Sequence, residues 1–176
     1  EVLPNEAISC LSKARISKDE NELAEIHRMG KLVVSIVSDV ENYIRSCHLE
    51  KERLVSPTGN PVTIGEIKRM INHKLMDAGA ENPEGTIFAM GQDAAVPHNS
   101  GNDEEVLVAG KTIVFDFFPR DAGSGYFYDF TRTWCIGHAS DALKNSYAQV
   151  KAVHDEIITL AKPGIPFKDL QAITCD

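Results

Sequence analysis

Two aspartates, Asp116 and Asp129, are the residues whose spacing points most directly to chemistry. They lie in the stretch 111–137, KTIVFDFFPRDAGSGYFYDFTRTWCIG, which reads as two β-strands around a turn. The first strand, Thr112–Phe118, is almost wholly apolar except for Asp116. The second, Tyr126–Ile136, is rich in aromatic and β-branched residues and carries Asp129. Pro119, Gly123, Ser124 and Gly125 mark the turn between them. A hairpin symmetric about the Ala122–Gly123 bond sets the two aspartates opposite each other. Opposed side chains lie ~4.5–5.5 Å apart at Cβ, where like charges are destabilising. Two carboxylates in apolar surroundings must share a proton or a cation. That is the chemistry of a metal site. Against it stands an ordinary alternative: an aspartate that caps a turn, or one paired with Arg120 or Arg132. The strand pattern by itself leaves both open.

The elements that must position these residues follow from periodicity and punctuation. Residues 1–16 have weak pattern and read as an extended lead-in. Ser17–Glu20 reads as a capping box, with serine and glutamate each satisfying an orphan backbone N–H. A long helix follows, with Leu23, Ile26, Gly30, Val33, Val37, Val40 and Ile44 on one face and Met29, Val34 and Ile36 widening it. Residues 47–62 read as a charged connection ending in the turn SPTGNP. Thr63–Glu66 is a second capping box. Ile64, Ile67, Ile71 and Leu75 line the next helix, which Gly79 closes. GTIFAM at 85–90 reads as a short buried strand, GQDAAVPHNSG at 91–101 as a loop, and Asp103–Glu104–Glu105 as a solvated turn. After the hairpin, Ser140 caps a helix with Leu143, Tyr147, Val150, Ile157 and Leu160 expected inside. Pro163–Gly164 ends that helix, and residues 166–170 begin another. The order implies an α+β fold, with helices packed on one face of an antiparallel sheet. The strands are apolar on both faces, Ile113, Phe115 and Phe117 on one and Val114 and Phe118 on the other. A second covering layer is therefore implied.

Composition narrows the function classes. The chain has 176 residues, 43% hydrophobic and 25% charged, with a net charge of −8; this is ordinary globular composition and room for about one domain. An acidic chain without a basic cluster is a poor candidate for nucleic acid or an anionic membrane. No apolar run reaches the roughly 18 residues of a membrane span. The start, EVLPNEAISC, has no basic region followed by an apolar one and so does not read as a signal peptide, and a chain beginning with Glu1 reads as a piece of something longer. The four cysteines, Cys10, Cys47, Cys135 and Cys175, form no C-x-x-C. They read as reduced cytoplasmic thiols behaving as small buried hydrophobes.

At this point the residues resemble a known family. YDFTRT at 128–133 is similar to the signature of the pita-bread metallopeptidases: methionine aminopeptidase, Xaa-Pro aminopeptidase and prolidase. The capped long helix, GQDAAVPHNSG, an apolar strand bearing Asp, a Gly-Tyr turn, Asp-x-Thr-Arg-Thr and a later KPG agree in order, from about Ser17 to the end. The turn FFPRDAGSGYFYD is longer than usual and looks like the Xaa-Pro branch. Residues 17–176 are then expected to be the N-terminal part of a pita-bread, creatinase/aminopeptidase-like catalytic domain.

The resemblance carries a site with it. In that family two aspartates, a histidine and two glutamates hold two divalent ions such as Mn, Co or Zn. Asp116 matches the first aspartate, and Asp129 matches the second, which bridges the ions. His98 matches the Pro-His histidine that meets the substrate near the scissile peptide bond and is not a ligand. The other three ligands belong to the second half of the fold, and the chain stops before them; His138, His154 and Glu156 match none of them. The implied activity is cleavage of the N-terminal residue from X-Pro peptides, with this chain alone inactive. The alternative is a metal-free module of the same fold that binds a peptide or protein. Two copies are expected to pair through the uncovered apolar surface. Arg132 is expected in a buried ion pair, Thr131 and Thr133 as plain strand residues, and His27, His48 and His73 at the surface.

Overall fold

The computed structural model describes residues 5–175. In chain order its elements are α1 (Asn5–Ile16), α2 (Glu20–Ser46), β1 (His48–Glu50), β2 (Arg53–Val55), α3 (Ile64–Asp77), β3 (Ala80–Glu81), β4 (Thr86–Met90), β5 (Thr112–Phe117), β6 (Arg120–Asp121), β7 (Phe130–Cys135), α4 (Asp141–Leu160) and α5 (Phe167–Cys175). The main sheet is antiparallel and three-stranded, in the order β4-β5-β7. Strand β5 is its centre, so Asp116 has a neighbour on each side: Ile87 on β4 and Thr131 on β7.

Alternation along β5 sorts its two faces. Ile113, Phe115 and Phe117 are fully buried, while Val114, Asp116 and Phe118 on the other face are half-buried. The buried face meets α2 through Met29, Val33, Ile36 and Val40, and α3 through Ile64, Ile67, Ile71 and Leu75. Phe88, Phe115, Phe117 and Trp134 form an aromatic cluster with ring centroids 5.1–6.3 Å apart. Such tilted, edge-on and offset contacts add to the area they bury.

Several local expectations change. Residues 5–16 form α1 rather than an extended lead-in; the run holds Ala, Leu, Lys and Arg, good helix formers that need no tertiary partner to favour this state. Residues 1–4 of that lead-in lie outside the described residues. The first cap is Asp19, not Ser17: its side chain accepts from the Glu22 N–H at 2.9 Å, and the Glu22 carboxylate accepts from the Asp19 N–H at 2.7 Å. Two overlapping four-residue patterns competed, and the later one starts the helix. Thr63 caps α3 as expected, accepting from the Glu66 N–H at 3.2 Å, but the Glu66 carboxylate goes to the Tyr43 hydroxyl on α2 instead of back to the cap. Val34 and Leu23 on α2 are exposed. The connection at 47–62 contains the β1–β2 hairpin, turned by Lys51 and Glu52 at φ 46° and 68°. That conformation is normally signalled by Asn-Gly.

The largest departure is α4. None of its residues is buried: Tyr147, Val150 and Leu160, all expected inside, are exposed, while Leu143 and Ile157 are half-buried. Its apolar stripe is real, but it meets mainly α5 and, through Leu143 and Tyr147, the edge of the sheet at Trp134 and Cys135.

Candidate metal site

The hairpin places the two aspartates by its register. Across β5 and β7, Asp116 pairs with Thr131, and Phe117 with Phe130. The same register continues to the tip: Tyr128 N–H donates to Pro119 O at 3.0 Å, Arg120 bridges Phe127, and Asp121 N–H donates to Tyr126 O at 3.0 Å. The hairpin is therefore centred on the Gly123–Ser124 bond, one residue beyond the expected centre. That single residue moves the pairing by two. Asp129 stands diagonal to Asp116 rather than opposite it, and because the shift is even both remain on the same face. Asp129 itself precedes the first residue of β7.

The position opposite Asp116 belongs to Thr131, whose hydroxyl donates to Asp116 Oδ1 at 2.9 Å. Thr131 was read as a plain strand residue; the correct register is the signal that would have found it. Burial pushes the Asp116 carboxyl above its ordinary range. The Thr131 bond opposes that shift, the nearby Asp129 carboxylate adds to it, and His98 opposes it. The Asp116 environment thus disfavours its own negative charge, as two carboxylates sharing one face require.

His98 comes from the loop between β4 and β5. A 3-10 turn, Asp93–Ala95, starts the loop, and Gly101 closes it against β4. Gly101 has φ +82°, and a Cβ there would collide with the Phe88 carbonyl oxygen, so only glycine lets the loop lie this close. Asn99 Oδ1 accepts from the Gly101 N–H at 2.9 Å. His98 itself sits at φ +61°, a left-handed conformation uncommon for any residue but glycine. Outliers of this kind gather at functional sites. The loop and the sheet line an open cavity of about 220 Å³ whose walls include His98, Asp116, Ile87, Ala89, Val114 and Asp93. Asp93, which no sequence motif singles out, lines the same cavity because the loop curls over the sheet.

The other candidates separate from this site. Arg132 forms no buried ion pair: it is exposed, with its guanidinium 4.1 Å from the centre of the Phe130 ring and one N–H donated to Thr131 O. An edge strand lets it reach solvent while its charge rests on an aromatic face. Arg120 pairs with Glu81 at 2.7 Å, not with either site aspartate. Asp103 is more than a solvated turn, since it pairs with Lys68 at 2.6 Å. His27, His48 and His73 are exposed, as expected. All four cysteines are unpaired; Cys10 and Cys175 are exposed rather than buried, and Cys47 and Cys135 are half-buried.

Among the described residues no three His, Cys, Asp or Glu side chains converge to hold a metal ion. The donor set nevertheless suits part of a site for hard divalent ions, which favour carboxylate oxygens. Asp116 and Asp129 supply such oxygens on one face, and a cation beside them would offset the burial and, after it, the Asp129 charge that hold the Asp116 carboxyl up.

Comparisons with known proteins agree with this architecture. The family description "Metallopeptidase family M24" matches residues 24–176. An Xaa-Pro dipeptidase of Pyrococcus horikoshii is 26% identical over 97% of this chain and 49% of its own length. A probable Xaa-Pro aminopeptidase of Aspergillus flavus is 29% identical over 99% of this chain and 33% of its own. The chain thus spans about half, or less, of the curated relatives it matches. An X-Pro aminopeptidase structure from Thermotoga maritima superposes with a TM-score of 0.76 at 26% identity, covering 94% of this chain and 42% of that one. The prolidase of Pyrococcus furiosus gives 0.76 at 23% identity and shares the fold. The arrangement is that part of the pita-bread fold.

Proposed function

The chain belongs to metallopeptidase family M24, and from that premise we propose that it carries the aspartate half of a two-metal site in a hydrolase that removes the N-terminal residue from X-Pro peptides. The observation that supports this reading most is the meeting of three residues from separate elements: Asp116 at the centre of the sheet, Asp129 diagonal to it, and His98 across the same cavity. Residues 17–176 would form part of the catalytic domain. A histidine and two glutamates, which the family resemblance assigns to the other half of the fold, would complete the ligands.

Asp116 and Asp129 would hold the ions, Mn, Co or Zn. When bound, two such ions lower the pKa of a water so that it attacks a carbonyl at neutral pH. The rest falls to this chain's own groups. The Thr131 hydroxyl fixes the Asp116 carboxylate by its hydrogen bond to Oδ1. His98, held by its loop beside Asp116, would steady the backbone of the scissile peptide. Ile87, Ala89 and Val114 give the cavity an apolar wall beside Asp116. No helix among the described residues is long and apolar enough to cross a membrane. Unpaired cysteines suit a reducing cytoplasm.

A second reading keeps the fold and drops the metal: a peptide- or protein-binding module. What favours it is that only two carboxylates converge among the described residues. The two readings separate in one assay. The full-length protein that carries this chain, loaded with Mn²⁺, is expected to cleave an X-Pro dipeptide in preference to a Met-initiated peptide, and Asp129→Asn to abolish that cleavage. Peptide binding without cleavage, unchanged by Asp129→Asn, would establish the module instead.

A further inference from the structure

We propose that Gly30 and Tyr128 are positioning residues for Asp129: helix α2 sets where that carboxylate stands. This rests on the metal-site reading of Asp129 above. Asp129 lies just outside the β7 ladder, and its place is fixed by its neighbours. Tyr128 and Phe130 alternate to the opposite face of the strand and pack against the core beneath the sheet. The Tyr128 ring rests on the backbone of α2 at Gly30. A Cβ built on Gly30 would stand 2.6 Å from Tyr128 Cε2, 3.0 Å from Cζ and 3.1 Å from Cδ2. No side chain fits there unless the ring moves.

Two contacts, one from each arm of the hairpin, hold it to the same helix further toward the tip. The Tyr126 hydroxyl donates to Glu22, and Arg28 pairs with Asp121. Glu22 is the capping-box residue of α2, so the start of the helix and the hairpin are tied at one carboxylate. Residues 121–128 are therefore referenced to α2 at three points, and Asp129 is the next residue along. A one-atom change at Gly30 lifts the Tyr128 ring, and because Tyr128 is bonded to Asp129 through one peptide unit, the carboxylate on the far face moves with it.

The proposal inverts the usual expectation for a helix glycine. If Gly30 were only a helix residue, Gly30→Ala would raise the melting temperature by roughly 2–4 °C through its better helix propensity. We expect instead that Gly30→Ala shifts the amide resonances of residues 126–131 in metal-free protein while leaving those of α3 in place. It should also weaken Mn²⁺ binding about tenfold, read by electron paramagnetic resonance. Tyr128→Leu should weaken it comparably, and the double variant should be no worse than either single one, because both act through one contact. Unchanged resonances at 126–131, unchanged Mn²⁺ affinity, or additive effects in the double variant would overturn the proposal. Asp129→Asn separates the two ideas. If it leaves Mn²⁺ binding untouched, the metal-site reading fails, while displaced 126–131 resonances in Gly30→Ala still support the positioning of this residue by α2.

Discussion

Asp116 illustrates how one side chain can serve chemistry against stability. Burial and the neighbouring Asp129 charge both push its carboxyl up. A folded-state pKa above the unfolded value means that its contribution is most favourable at low pH, where the acid is neutral, and is lost as pH rises through the folded value. At neutral pH the ionised group therefore costs stability in the absence of a cation. Asp116→Asn keeps an acceptor for the Thr131 hydroxyl and removes the charge. We expect it to stabilise the metal-free chain at pH 7 by no more than about 0.5 kcal/mol, since solvent screens a half-exposed group, and to bind Mn²⁺ more weakly. Chemical denaturation at pH 4 and pH 7 checks this; an equal effect at both would contradict it. Asp116, Asp129 and His98 were all legible in the sequence as candidates, whereas Thr131 and Asp93 were not. The Thr131 bond depends on a register, and the place of Asp93 in the cavity wall on a loop path, that residue types alone do not fix.

At the scale of the element, the hairpin tip is a device of its own. Asp121 Oδ2 accepts from the N–H groups of Gly123 at 3.0 Å and Ser124 at 2.6 Å, while Oδ1 meets Arg28. The Ser124 bonds, with Arg28 helping, hold its carboxyl well down, at about 2. A depressed carboxylate contributes stability above its unfolded pKa and loses it as pH falls through the folded one. The window runs from roughly pH 4 to about 2. Melting curves of wild type and Asp121→Asn should accordingly differ above pH 4 and converge toward pH 2; curves that stay parallel would show that the tip does not titrate there. Helices α2 to α5 and the three main strands are readable because periodicity and caps are local signals, whereas α1 carries neither and is missed. The hairpin centre was misplaced by one residue because its turn offers Gly123, Ser124 and Gly125 in succession, and each permits a different register. The β1–β2 hairpin escaped notice because Lys51 and Glu52 hold left-handed conformations without a glycine to announce them.

For the molecule as a whole, burial is lopsided. The core collects between α2, α3 and the sheet, while α4 and α5 leave Val150 at 71%, Ile158 at 65% and Phe167 at 88% exposure. The sequence showed that α4 is amphipathic; a single chain cannot show what its apolar face meets. We expect the isolated chain to self-associate through this surface, as apolar patches of this kind do. Sedimentation velocity across a concentration series should show dimer or higher species, and Val150→Ser with Phe167→Ser should shift the distribution to monomer. A wild-type chain that stays monomeric at high concentration would rule the association out.

The clasp between α2 and the hairpin also has a consequence in time. Glu22 and Tyr126 are separated by 104 positions, and Arg28 and Asp121 by 93. At a synthesis rate of ~5–20 residues per second, the helix waits roughly 5–20 s before its partner strand has been made. Contacts this distant along the chain are slow to form even afterwards, since loop closure precedes any reward. During that interval the apolar stripe of α2 lacks the sheet it is shaped for. The nascent chain is then most exposed to wrong partners before Tyr128 exists to settle on Gly30.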